Sequence, residues 1–202
     1  MTGTPIGRVV KGIVIRRGFA KTDAIMNYKS KTKLSRAQLA ERLKSVRLLS
    51  LDVDGVLTDG GLYYADDGLA FRKFNVRDGL GIVLLRKAGL HIAIISAGKP
   101  ASTATRAKDL GVKHVRMGVE DKLKELSEIC ESLGVHLNDV IHIGDDLPDL
   151  TLMQAVGVPI TVADGADAVK ESAAYITERK GGEGAVREIC DLLLESMPGL
   201  GD

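Results

Sequence analysis

Tryptophan is absent from the chain, and all its aromatic side chains together make up only 3% of 202 residues. Single-stranded nucleic acids are bound on aromatic platforms, and none accompanies the basic residues here. Nucleic acid is therefore not expected as a partner. Cysteine is scarce as well, and Cys130 and Cys190 both fall in stretches that read as amphipathic helices. Two such thiols are ordinary core residues, provide no disulfide framework, and point to a reducing cytoplasm. Long apolar runs are also missing. The most apolar window, Leu80 to Ile95, is interrupted by Arg86, Lys87 and His91, so no membrane-spanning segment is expected.

What is present is apolar material for a core, 45% of residues, in a length that suits one domain. The net charge of +1 conceals a division. Residues 1–47 hold 12 of the 28 Lys and Arg but only 2 of the 27 Asp and Glu, Asp23 and Glu41. That stretch carries +10, and the remainder, with 16 basic and 25 acidic residues, carries −9. Residues 1–34 read as a basic N-terminal extension, flexible and dispensable. An arm touching an anionic partner, a transit peptide, and translated sequence upstream of a start at Met26 are the alternatives. Residues 35–202 read as the working domain.

Within that domain, Ser35 is placed to cap a helix running to about Arg47. Two alternating runs around Asp66-Asp67-Gly68 read as a β-hairpin, Leu62 to Phe74. Asn75 to Gly81 reads as a loop, and Leu80 to Ala88 as a helix closed by Gly89. Apolar strands at His91–Ile95, Val112–Arg116, Val140–Ile143, Pro159–Val162 and Tyr175–Thr177 then alternate with helices near 100–110, 122–133, 147–155, 167–172 and 184–195. Such alternation predicts an α/β fold, a Rossmann-like doubly wound parallel sheet with ligands at the carboxyl ends of its strands.

The stretch with the clearest chemistry is LLSLDVDGVLTDG, residues 48–60. A short buried strand ends in Asp52 and Asp54, and Gly55 lets the chain turn sharply. Two carboxylates so close on one side of a strand need a cation or a shared proton. A Mg²⁺ site with a carboxylate nucleophile beside a carboxylate acid/base answers that need. A charged loop after a strand is the simpler reading of these residues alone.

DVDGVLT resembles the DxDxT signature of the haloacid dehalogenase-like phosphohydrolases. With FNVRDGLGI and GGEGAVRE, it resembles their 3-deoxy-D-manno-octulosonate 8-phosphate (Kdo 8-phosphate) phosphatase family across roughly Val46 to Met197. The resemblance implies roles for particular residues. Asp52 would be the nucleophile and Asp54 the general acid/base. Ser96 and Lys122 would hold the transferring phosphoryl group, with backbone N–H groups near Gly55. Mg²⁺ would be held by the Asp52 carboxylate, the Asp54 carbonyl and Asp145, with Asp146 and Asp149 orienting that shell. Arg77 would suit a sugar-acid carboxylate, and Ala97, Gly98 and Lys99 would line the substrate. In this family the motif after the second core strand commonly reads Thr-Gly-Arg. Here it is Ser96-Ala97-Gly98-Lys99, which keeps nine-carbon sugar-acid 9-phosphates open as substrates.

The intervals Asp54 to Ser96, 42 residues, and Lys122 to Asp145, 23 residues, leave no room for a cap domain. The resemblance implies that the site is closed instead by a homotetramer, with the hairpin and a neighbour's C-terminal region covering it. It also implies a step in lipopolysaccharide inner-core synthesis. A catalytically idle assembly module and a sugar phosphotransferase are the contrasting readings. The intact acidic set counts against the first, and the missing cap against the second.

Overall fold

The computed structural model describes residues 30–197, so most of the basic extension lies outside the described residues. In chain order the elements are α1 Arg36–Leu43, β1 Leu48–Leu51, the hairpin strands β2 Tyr63–Tyr64 and β3 Ala70–Phe71, α2 Val76–Lys87, β4 His91–Ser96, α3 Ala101–Asp109 and β5 His114–Met117. There follow α4 Lys122–Leu133, β6 Val140–Gly144, α5 Leu150–Ala155, β7 Val158–Thr161, α6 Asp167–Ser172, β8 Tyr175–Ile176 and α7 Ala185–Ser196.

Six strands form one sheet in the order β5-β4-β1-β6-β7-β8, with every neighbouring pair parallel. This is the doubly wound sheet the alternation of elements predicts. β1 lies between β4 and β6, with Leu49 opposite both Ile92 and Ile141. The chain therefore winds outward from β1 in both directions, and a crevice opens beyond its carboxyl end. Successive residues face opposite sides of the sheet. Leu49, Ile92 and Ile141 join the core beneath α1, α2 and α7, whereas Leu48, Ala93 and Val140 join the core beneath α4 and α5. Among the described residues no helix is long and apolar enough to cross a membrane, and no cap domain interrupts the sheet.

Local signals explain most boundaries. Ser35 and Gln38 form a reciprocal capping box, although α1 stops at Leu43 rather than near Arg47. Gly134, with φ of +61°, closes α4. The segment Leu147–Ala155 is a short 3₁₀ turn followed by α5. Preceding α1, the Lys31 N–H donates to the Glu171 carbonyl at 3.1 Å and the Leu34 N–H to the Ala174 carbonyl at 2.8 Å. The end of the basic stretch is thereby bonded to the α6–β8 region.

One segment departs from expectation. Asn75 to Gly81 reads as a loop, yet α2 begins at Val76, with the Asn75 carboxamide accepting from the Arg77 N–H. Both of its glycines are buried at contacts between elements. A Cβ at Gly81 would lie 2.8 Å from the Cys190 Cβ on α7, and one at Gly79 would strike the Arg106 guanidinium. These glycines serve close approach rather than a turn, at some cost in helix propensity. Asp78, between them, is also buried, and its Oδ1 accepts from the Arg187 N–H at 2.7 Å. It thus caps α7, whose own N-cap residue is Gly184. Replacing Gly81 by Val should lower stability by about 1–3 kcal/mol in urea unfolding, because the branched side chain overpacks the α2–α7 contact. An unchanged midpoint would mean that the contact is not tight.

Candidate active site

The carboxyl end of β1 is held by hydrogen bonds before any ligand is considered. The Asp52 N–H donates to the Ile143 carbonyl on β6 at 3.0 Å. Gly55, with φ of +84°, then turns the chain beneath Asp145, whose carboxylate fills the place a Cβ would take. Thr58 is wholly buried. Its Oγ1 accepts from the N–H groups of Gly55 and Gly60, each at 3.2 Å, and donates to the Val53 carbonyl at 3.3 Å. From the other side Gly182 donates its N–H to the Val56 carbonyl at 3.0 Å. A Cβ at Gly181 or Gly182 would collide with the backbone of Gly55, Thr58 or Asp59. The 181–184 loop therefore braces this chain's own turn after β1.

Around that turn a cavity of about 300 Å³ is lined by Asp52, Asp54, Gly55, Ser96, Ala97, Gly98, Lys122, Asp145 and Asp146, with Gly60 and Pro148. Tertiary structure thus brings together the ends of β1, β4 and β6 and the start of α4. Ser96 is buried, its Oγ accepting from the Gly98 N–H at 3.1 Å. Lys122 is buried too, its ammonium 3.0 Å from Asp52 Oδ1 and 2.7 Å from Asp149 Oδ1. Asp149 is fully enclosed. Its Oδ1 also lies 3.1 Å from His142 Nε2, and its Oδ2 accepts from the Asp145 N–H at 3.1 Å. His142 in turn meets Ser50 Oγ through Nδ1 at 3.1 Å. A continuous polar path therefore runs from inside the sheet, through Asp149 and Lys122, to Asp52.

The electrostatics divide the carboxylates. Burial opposes ionisation of Asp149, but the hydrogen bond and charge of His142 together with Lys122 hold its pKa down at about 2. Burial and the charge of Asp149 push Asp52 up to about 7 despite Lys122. Burial and the charges of Asp52, Asp149 and Asp146 push Asp145 up to about 8. The cluster has more negative charge than its one ammonium offsets, as expected where a divalent cation belongs. Among the described residues, Asp52, Asp145 and Asp149 place carboxylate oxygens within 4.8 Å of one another. Asp149 is committed to Lys122, His142 and the Asp145 backbone, so its role there is to orient neighbours. Asp52 and Asp145 retain free oxygens and form a hard donor set that fits Mg²⁺. Asp146 is exposed and caps the following 3₁₀ turn, accepting from the Leu147 N–H at 2.8 Å.

Other expected substrate contacts are scattered. Arg77 is exposed on α2 and lines a separate cavity of about 510 Å³ with Arg36, Arg179 and Arg187. Lys99 is exposed, its aliphatic stem over Gly118, whose N–H is bonded to the Gly98 carbonyl. The Gly55 N–H is spent on Thr58. Sequence reasoning did not pick out His142, although a histidine inside the apolar run VIHIG was a usable signal. It also passed over Arg72 on the hairpin, which grips Asp54 through Nε–Oδ1 at 2.5 Å and Nη2–Oδ2 at 3.3 Å. Nothing in the sequence pairs those two residues.

Residues 85–189 match a family model described as haloacid dehalogenase-like hydrolase. The 3-deoxy-D-manno-octulosonate 8-phosphate phosphatase of Escherichia coli K12 is 40% identical over 158 residues, 78% of this chain and 84% of that protein. A structure of the phosphatase so named from Moraxella catarrhalis, in complex with magnesium, phosphate and KDO, has a TM-score of 0.77. It is 38% identical, covering 80% of this chain and 93% of that one. The cobalt-bound deoxy-D-mannose-octulosonate 8-phosphate phosphatase of Haemophilus influenzae gives 0.74 at 36% identity, covering 77% and 91%.

Two outcomes follow from the buried charges. Asp149→Ala strands Lys122 and His142 and should cost about 3–5 kcal/mol in urea unfolding, whereas Asp146→Ala should cost about 1 kcal/mol, as for loss of a cap. A similar cost for both would deny Asp149 its central position. Asp52 and Asp145 have folded pKa values above their unfolded ones, so the metal-free protein binds more protons when folded. Its stability from these groups is present near pH 4 and lost as pH rises toward 8. Scanning calorimetry should therefore show Mg²⁺ raising Tm more at pH 8 than at pH 5. The opposite order would contradict the assigned donors.

Proposed function

This chain belongs to the haloacid dehalogenase-like hydrolases and is a Mg²⁺-dependent phosphoric monoester hydrolase, and we propose that it hydrolyses Kdo 8-phosphate to Kdo and phosphate. The observation that carries the reading is the buried Asp52 carboxylate, which lines the cavity with the Lys122 ammonium 3.0 Å away. The 40% identity to phosphatases of that name over most of both chains supports the choice of substrate.

In this reading the Asp52 carboxylate attacks phosphorus in line, and the sugar oxygen leaves with a proton from Asp54. Asp54 then takes a proton from the water that attacks the aspartyl-phosphate, releasing inorganic phosphate and restoring Asp52. Lys122 holds the Asp52 carboxylate in place and faces the phosphoryl oxygens, and the Ser96 hydroxyl donates to one of them. Asp52, Asp145 and the Asp54 carbonyl would hold Mg²⁺, which would supply positive charge that offsets the meeting of anionic nucleophile and anionic phosphate. Asp149 and His142 keep Lys122 and the Asp145 backbone aligned.

The hairpin that follows the turn after β1 is largely uncovered. Tyr63, Tyr64, Leu62, Leu69 and Phe71 are all about half exposed or more, and Val76, just beyond the hairpin, is 79% exposed. An apolar patch of this kind on an enzyme that must exclude water supports closure by further copies of the chain. We place the active form as a cytoplasmic homotetramer with the hairpins at the subunit contacts.

The test is phosphate release with Mg²⁺ from Kdo 8-phosphate, nine-carbon sugar-acid 9-phosphates and neutral sugar phosphates. Kdo 8-phosphate should have the highest kcat/KM, and Asp52→Asn should lose at least about a thousandfold in kcat. Preference for a nine-carbon acid would move the enzyme to that substrate. Turnover surviving in Asp52→Asn would sink the mechanism.

A further inference from the structure

A sugar-acid phosphate carries two anionic ends, and the cavity described above accounts for only one of them. Lys122 is committed to Asp52 and Asp149. Its uncharged lining includes the small residues Gly60, Ala97 and Gly98. Among the described residues, only two cationic side chains form an ion pair with a residue of this cavity. One is Lys122 and the other is Arg72. Three neighbouring cations are engaged elsewhere. Arg77 lines a different cavity, Lys73 pairs with Asp59 at 3.3 Å, and Arg106 donates to the Asn75 carbonyl at 3.2 Å.

Arg72 is well suited to a second carboxylate. Its side chain is 11% exposed, and it reaches Asp54 from the hairpin by the Nε and Nη2 donors. That contact uses the Nε–Nη2 edge of the guanidinium; among the described residues Nη1 has no hydrogen-bond partner, so the Nη1–Nη2 edge keeps the planar spacing that donates two parallel hydrogen bonds to a carboxylate. Gly98 keeps the adjoining space open. A Cβ at that position would lie 3.3 Å from Asp54 Oδ2 and 3.6 Å from Ser96 Oγ, so a longer side chain would crowd the carboxylate that Arg72 holds.

We propose that Arg72 binds the substrate's carboxylate, making the hairpin, rather than Arg77 or the Gly98-Lys99 turn, the part of this chain that selects sugar acids. The proposal rests on the sugar-acid reading given above. It makes Arg72 a bridge between the substrate and Asp54, so that a bound carboxylate and the proton-transferring carboxylate share one guanidinium.

The experiment compares wild type, Arg72→Lys and Arg72→Met on Kdo 8-phosphate and on arabinose 5-phosphate, a neutral sugar phosphate, with Kdo and inorganic phosphate as competing inhibitors. Arg72→Met should reduce the ratio of kcat/KM for the acid to that for the neutral phosphate by about 10- to 100-fold, largely through KM. The Ki for Kdo should rise relative to the Ki for phosphate by a similar factor, and Arg72→Lys should fall between. An unchanged ratio, with both substrates losing activity alike, would mean that Arg72 only braces Asp54 and would overturn the proposal. So would a sugar-acid preference that survives intact in Arg72→Met. A wild-type enzyme with no preference for the acid would instead overturn the substrate reading itself, and this proposal with it.

Discussion

A carboxylate buried at the end of a strand remains an anion only where positive charge reaches it. Here the Lys122 ammonium, 3.0 Å from Asp52, supplies part of that charge, and Asp52 is still pushed up to about 7. Lys122 is itself buried and would lose its proton to desolvation, but Asp149 and Asp52 raise its pKa. Asp149 in turn depends on His142, and His142 rests on Ser50 inside β1. Each member is costly to bury alone, and the arrangement holds because every one has a partner. The sheet order follows from the same need. β1 must lie beside β6 for Ser50 to meet His142, and α4 must start at the sheet's carboxyl edge for Lys122 to reach inward.

Glycine does much of the remaining placement, through the absence of side-chain volume more than through flexibility. Gly144 leaves room for the Asp149 carboxylate, Gly55 for that of Asp145, and Gly181 for the Gly55 carbonyl. Backbones and carboxylates can then approach within distances that a methyl group would forbid. The same economy joins α2 to α7 at Gly81, and Asp78 caps a helix whose N-cap residue, Gly184, has no side chain to offer.

The hairpin is the least self-sufficient part of the chain. Its strands are two residues long, antiparallel, and expose most of their aromatic surface. A ribbon of that size has little stability alone. It is tethered by the Thr58–Phe74 bridge, by Tyr63 and Lys73 on Asp59, and by Arg72 on Asp54. All of those anchors fall on the turn after β1, so hairpin position and the geometry of the candidate site are mechanically linked.

Sequence by itself determined the layered α/β architecture, the acidic pairs at 52/54 and 145/146 and the missing cap. These depend on local periodicity, on turn residues and on the chain length between motifs, all of which are written along one dimension. It also marked Ser96 and Lys122, though only through resemblance, since a serine after a strand and a lysine at a helix start are commonplace. Tertiary structure alone decided that Asp149 is the hub beneath Asp52, that His142 supports it and that Arg72 meets Asp54. It also decided that Gly79 and Gly81 belong to a helix rather than a loop. Those outcomes come from contacts between elements far apart in the chain, where burial and close approach, rather than local propensity, set what each side chain does.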